Sequence, residues 1–133
     1  MKFMLMMHTP REKGREYGVA KWTPADWRAH HQHMRRLNEE LRAAGEFVAG
    51  YGLAPPSQAR LVRTGKGDAP EVTDGPFPEA KEFLAGWWIV DVESAERAYA
   101  LAARVSAAPG PGGQPLRMAL EVREVPAGPP VDA

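Results

Sequence analysis

One segment, Phe83 to Val92, limits the possible folds more than any other part of the chain. It reads Phe-Leu-Ala-Gly-Trp-Trp-Ile-Val-Asp-Val. Side chains of a strand alternate between its two faces. Phe83, Ala85, Trp87 and Ile89 therefore fall on one side, and Leu84, Gly86, Trp88, Val90 and Val92 on the other. Both sides are apolar and each carries a tryptophan, so both must be covered. The chain offers two amphipathic helices, enough for one face of a sheet. A second copy of the chain is the simplest cover for the other. A homodimer packed sheet to sheet is the expectation.

The remaining elements are read from periodicity and end signals. Lys2 to Met7 is a short apolar first strand, ended by His8-Thr9-Pro10, and Arg11 to Trp22 is a polar loop. Thr23-Pro24 opens a helix, with Thr as N-cap, Pro in the first turn and Asp26 favouring the helix dipole. Its stripe, Trp27, His30, Met34, Leu37, Leu41 and Ala44, recurs at steps of three and four. Gly45 stops it. Glu46 to Leu53 is a second strand, Ala59 to Thr64 a third, and Glu71 to Thr73 its hairpin partner. After the apolar strand, Ser94 caps a second helix with the stripe Ala95, Ala98, Tyr99, Ala102 and Val105. A Gly/Pro loop from Pro109 to Pro115 leads to a last strand, Leu116 to Val125, whose Leu116, Met118, Leu120 and Val122 point one way. The order is that of an α+β, ferredoxin-like βαββαβ sandwich with an inserted hairpin. Its dimer would close into an α+β barrel. Residues 1–125 form one domain, and 126–133 a frayed tail.

Composition narrows the functions. Lys plus Arg and Asp plus Glu each number 17 in 133 residues, so the formal charge is zero. Direct nucleic-acid contact and binding to an anionic membrane both select a basic excess and are not expected. Cysteine is absent, which removes disulfides, thiol nucleophiles and thiolate zinc sites. The apolar run near the start is too short for an export signal or a bilayer span. A cytoplasmic protein is the expectation. Gly110-Pro111-Gly112-Gly113 lacks the Lys-Ser/Thr of a phosphate loop and opens no helix, no Gly-x-Ser-x-Gly elbow occurs, and no cofactor is called for.

The titratable candidates are few. His8 ends the first strand and His30 lies on the first helix's apolar stripe. Either is suited to proton transfer near neutral pH, or to a capping or core role. A carboxylate such as Asp74 would complete a His–Asp pair, if the two meet. His31 and His33 lie off the stripe and read as surface. His30 and His33, three apart on a helix, lack a third metal ligand, and no metal is expected. Asp74-Gly75-Pro76-Phe77 is a tight turn in its own right: Asp accepts backbone hydrogen bonds, Gly supplies an unusual backbone angle, Pro fixes the next, and Phe77 anchors the turn in the core. Lys81 and Glu82, beyond it, are either a solvated loop or polar contacts to a ligand. Trp88 is a candidate for lining an apolar pocket.

Three stretches carry a resemblance: MKFMLMMH at the start, LNEELRAAGEFVAGYGLAPP from the first helix into the second strand, and VTDGPFPEAKEFLAGWWIVDVES across the turn and apolar strand. Together they resemble the YCII-related family, in the subgroup marked by Asp-Gly-Pro-Phe, here Asp74 to Phe77. The resemblance implies the dimeric α+β barrel fold. It also implies either of two activities, since some relatives are proposed enzymes using a His and an Asp, while other such domains accompany alternative sigma factors. Two functions thus stand side by side. One is a small-molecule-handling homodimer with His30, His8 and Asp74 in acid–base chemistry. The other is a non-catalytic ligand-binding or regulatory module linked to transcription.

Overall fold

A computed structural model describes residues 1–10, 22–77 and 79–128. Most of the expected loop at 11–22, and residues 129–133 of the expected tail, lie outside the described residues. The elements in chain order are β1 (Lys2–Pro10), α1 (Pro24–Ala43), β2 (Phe47–Gly52), β3 (Arg60–Thr64), β4 (Pro70–Asp74), β5 (Glu82–Asp91), α2 (Ala95–Ser106) and β6 (Leu120–Val125). Four strands form an antiparallel sheet in the order β2-β5-β1-β6, and β3 and β4 pair as a separate hairpin. Setting the hairpin aside, this α+β arrangement is compatible with a ferredoxin-like sandwich.

Both helices pack on one face of the sheet. Leu37 and Leu41 of α1 and Ala98, Leu101, Ala102 and Val105 of α2 are buried against Phe3, Leu5, Trp88, Val90 and Val92. Each fully buried Leu or Val contributes about 1.5–3 kcal/mol relative to exposure. Local signals fix the ends of α1. Thr23 and Asp26 form a reciprocal capping box, the Asp26 amide donating to Thr23 Oγ1 and the Thr23 amide to Asp26 Oδ2. At the other end Gly45, at φ 71°, lets the Glu46 amide reach the Leu41 carbonyl and its own amide reach that of Arg42.

Register sorts the two faces. Phe3, Leu5 and Met7 stand opposite Val90, Trp88 and Gly86 under the helices. Met4 stands opposite Ile89, and Met6 opposite Trp87, on the other side. Met7 pairs with Gly86 but His8 with Leu84, so Ala85 is an extra residue in β5. This bulge reverses the alternation below it: Phe83 stands opposite Thr9, on the helix side, and not with Trp87 as the simple alternation predicts.

Five further expectations are corrected. β1 does not end at Met7 but continues through His8-Thr9 to Pro10. The last strand starts at Leu120, not Leu116, because Arg117 adopts φ 57° and the Leu116 and Arg117 amides bond back to the carbonyls of Ala108 and Ser106. On α2 it is Leu101 that is buried, while Tyr99 is 56% exposed. Phe77 does not anchor its turn, being 56% exposed. Gly75 has no positive φ, and its lack of a side chain serves close approach instead: a Cβ there would stand 3.2 Å from Leu61 Cγ.

Candidate functional site

Between α1 and the helix-side face of the sheet lies a cavity of about 480 Å³. Its floor is Met7 and Thr9 of β1 with Gly86 and Trp88 of β5, and α1 contributes Trp27, His30, His31, Met34 and Asn38. Leu116 and Met118 line it too, having been turned off the sheet by the backbone reversal at Arg117. The late start of the final strand thus gives the cavity two of its apolar lining residues.

Aromatic rings form much of the wall. Trp22 lies 4.5 Å from Trp27 between ring centres and 5.3 Å, edge-on, from His30. His31 stacks on Trp27 at 5.5 Å. Trp88 crosses beneath β2, where a Cβ at Gly50 would stand only 2.8 Å from its ring, so glycine is required at that position. The Trp88 indole Nε1–H donates to Asn38 Oδ1 at 3.0 Å, which orients the amide and leaves its NH₂ group on the other side. No Asp, Glu, Lys or Arg lines the cavity among the described residues.

His30 is a titratable group of this wall that is also tied into the framework. Its Nδ1 lies 3.1 Å from the Pro109 carbonyl oxygen. A carbonyl only accepts, so Nδ1 carries the proton and the neutral ring keeps its lone pair on Nε2. Burial holds the His30 pKa below the ordinary imidazole value; the Pro109 carbonyl opposes this, and the neighbouring His31 and His33 reinforce it. The ring is thus a neutral base near pH 7 and is also part of the framework. His33, expected at the surface, has a similar framework role, its Nε2–H donating to the Arg104 carbonyl at 2.9 Å. Both histidines tie α1 to the end of α2 and the loop after it.

The other candidates lie elsewhere. His8 Nε2 is 3.2 Å from Glu121 Oε1. Glu121 stands opposite Met6, so this pair occupies the sheet face away from the helices and from His30. Asp74 ends β4 with its side chain 94% exposed, 3.5 Å from Arg60 Nε. Lys81 and Glu82 are exposed before and at the start of β5. None of these four borders the cavity, and no hydrogen bond or ion pair joins Asp74 to a histidine among the described residues. Only His30 and Trp88 of the six candidates meet there. Sequence reasoning missed Thr9, Trp22 and Asn38. Thr9 follows Met7 at strand spacing, and Asn38 lies four residues after Met34 on α1. Each of those two was within reach of the pattern once β1 was extended and the α1 stripe widened.

These features define an α+β domain with ferredoxin-like strand order and an aromatic, uncharged cavity beneath its first helix. The chain belongs to the YCII-related family, whose domain model matches residues 1–110. The match takes in every cavity residue named above except Leu116 and Met118. No curated protein matches the chain. No helix among the described residues is long and apolar enough to cross a membrane.

Proposed function

We propose that this protein is one subunit of a homodimer that binds a small organic molecule in the cavity beneath α1, and that His30 moves a proton on it. The observation that carries the reading is the fixed tautomer of His30. Its Nδ1–H is held by the Pro109 carbonyl at 3.1 Å in a cavity wall, leaving Nε2 as an unprotonated base. Trp88 supplies apolar surface to the same molecule. Asp74, His8, Lys81 and Glu82 do not border the cavity, and no carboxylate among the described residues lines it beside His30. Asp74-Gly75-Pro76-Phe77 supports membership of the subgroup marked by that tetrapeptide.

The test separates binding from chemistry. Pools of small uncharged metabolites are screened by thermal shift, and each stabilising compound is recovered and analysed by mass spectrometry. His30→Asn keeps a donor near the Nδ1 position but has no second ring nitrogen. It is expected to bind the hit and leave it unconverted, while the wild type converts it. Equal conversion by both proteins removes His30 from the chemistry. The second reading, a non-catalytic ligand-binding module acting beside an alternative sigma factor, is favoured by the lack of any carboxylate at His30 among the described residues. It predicts that the wild type, too, returns the hit unchanged.

A further inference from the structure

We infer that Asp26, in the first turn of α1, is a positioning residue for His30: it holds the turn that carries the Pro109 carbonyl, and so keeps the His30 proton on Nδ1. The inference goes beyond the proton-transfer reading of the cavity and rests on its claim of one fixed tautomer. Asp26 and His30 are four residues apart on a helix and share a face. Both reach the same short turn after α2. His30 Nδ1 donates to the Pro109 carbonyl at 3.1 Å, and the Gly112 amide donates to Asp26 Oδ1 at 3.1 Å. Asp26 does not line the cavity, so its effect on His30 passes through that turn.

The turn is closed on itself and transmits the constraint. Pro109 and Pro115 pair across an isolated bridge, the Gly110 amide donates to the Gln114 carbonyl at 2.8 Å, and the Gly113 amide donates to the Gly110 carbonyl at 3.0 Å. A Cβ at Gly110 would collide with Leu116 and stand 3.6 Å from Trp22 Cζ2, so the turn also packs closely on two cavity residues. Holding Gly112 from α1 therefore holds Pro109, three residues earlier in the same closed unit. The Asp26 carboxylate works in two directions, since its Oδ2 accepts from the Thr23 amide at 2.9 Å. The Thr23 amide foremost, with the Gly112 amide adding to it, keeps the Asp26 carboxyl below its ordinary pKa. Near neutral pH the bond to Gly112 thus has an ionised acceptor, which makes it stronger than a neutral one. With this tie removed, the turn is held to this face of α1 by His30 alone. The Pro109 carbonyl is then free to shift, and the His30 proton to move to Nε2, the atom that the proposed chemistry needs unprotonated.

The experiment needs no ligand. Ring-nitrogen NMR shifts of the whole protein at about pH 8, above the ordinary imidazole range, distinguish a protonated ring nitrogen from one carrying a lone pair, and His30→Asn assigns the His30 signals. The wild type is expected to hold the His30 proton on Nδ1. In Asp26→Ala the ratio of the Nδ1–H form to the Nε2–H form is expected to fall about fivefold, the worth of one hydrogen bond. Asp26→Ala also weakens the helix cap, so Thr23→Val is the control. It removes the hydroxyl that accepts from the Asp26 amide at 3.1 Å but leaves the Asp26 carboxylate and Gly112 in place. It is expected to lower the melting temperature and keep the wild-type tautomer. The inference is overturned if Asp26→Ala keeps the wild-type ratio, or if Thr23→Val lowers the ratio as far as Asp26→Ala does; the proton-transfer reading survives both results. A wild-type ring protonated on Nε2 removes the fixed tautomer itself, and that reading and this inference then fall together.

Discussion

His30 has a structural tie and a free nitrogen on one ring, and its titration reports on both. Burial disfavours the imidazolium, so the folded-state pKa lies below the unfolded one. As pH falls from neutrality, the unfolded chain takes up the proton first, near the ordinary imidazole value of about 6.5. Stability conferred by the neutral ring is therefore complete above that value. It declines as pH drops toward the folded-state pKa and is level below it. Urea unfolding at pH 7.5 and at successive points down to about pH 5 is expected to show a loss in the wild type that is smaller in His30→Asn. Identical pH dependence in the two proteins would remove the buried-base description. The same depressed pKa keeps the acid limb of any His30-dependent turnover below the ordinary imidazole range. The sequence marked this residue because it breaks an otherwise apolar stripe. It gave no sign of the Pro109 carbonyl, which lies 79 residues away along the chain.

At the scale of elements, the ends of α1 were legible and the joints between elements were not. Thr23, Asp26 and Gly45 act through neighbours a few residues away, and their roles follow from local chemistry. The joint between the start of β2 and α2 depends on a residue pair far apart in the chain. Arg97 Nε and one terminal nitrogen donate to the two Glu46 carboxylate oxygens at 2.9 and 2.8 Å. Hydrogen bonding from Arg97 holds the Glu46 carboxyl below its ordinary pKa. Glu46 is the more enclosed partner, with 15% side-chain exposure against 38% for Arg97. Replacing Glu46 by Gln keeps the shape and loses the charge, and is expected to cost about 1–2 kcal/mol in urea unfolding at neutral pH, allowing for solvent screening of Arg97. Because the folded-state pKa is depressed, this stabilisation is complete above the ordinary glutamate pKa of about 4.3. It fades as pH falls through the lower folded value, so wild type and Glu46→Gln should converge in acid. The late start of β6 was illegible for a related reason. Leu116 and Met118 keep perfect strand alternation, and only the bonds from the Leu116 and Arg117 amides to the Ala108 and Ser106 carbonyls show that the backbone has left the sheet.

At the scale of the whole molecule, β5, the strand with two apolar faces, lies between β2 and β1 in the sheet. The face away from the helices carries two cross-strand rows, Met4-Ile89-Ala49 and Met6-Trp87-Tyr51, with Arg123 and Glu121 of β6 continuing them into charge. Tyr51 is 68% exposed although its ring approaches Trp87 at 5.7 Å. An apolar centre with a charged edge is the composition of a protein–protein interface, which is why the dimer remains our proposal for this face. The cavity is lined from the opposite, helix-covered side, so the proposed ligand binding would not depend on the proposed dimer. Met6→Glu separates the two. In a two-fold interface each substitution enters twice, and burying two unpaired carboxylates should weaken association by roughly a hundredfold or more. Sedimentation velocity at micromolar concentration is expected to find the wild type dimeric and Met6→Glu monomeric, with the thermal shift given by the screening hit unchanged. A monomeric wild type would leave the apolar rows without the partner assigned to them. Loss of that shift in a folded Met6→Glu monomer would mean that the second subunit shapes the cavity through the sheet, and that the two faces are not independent.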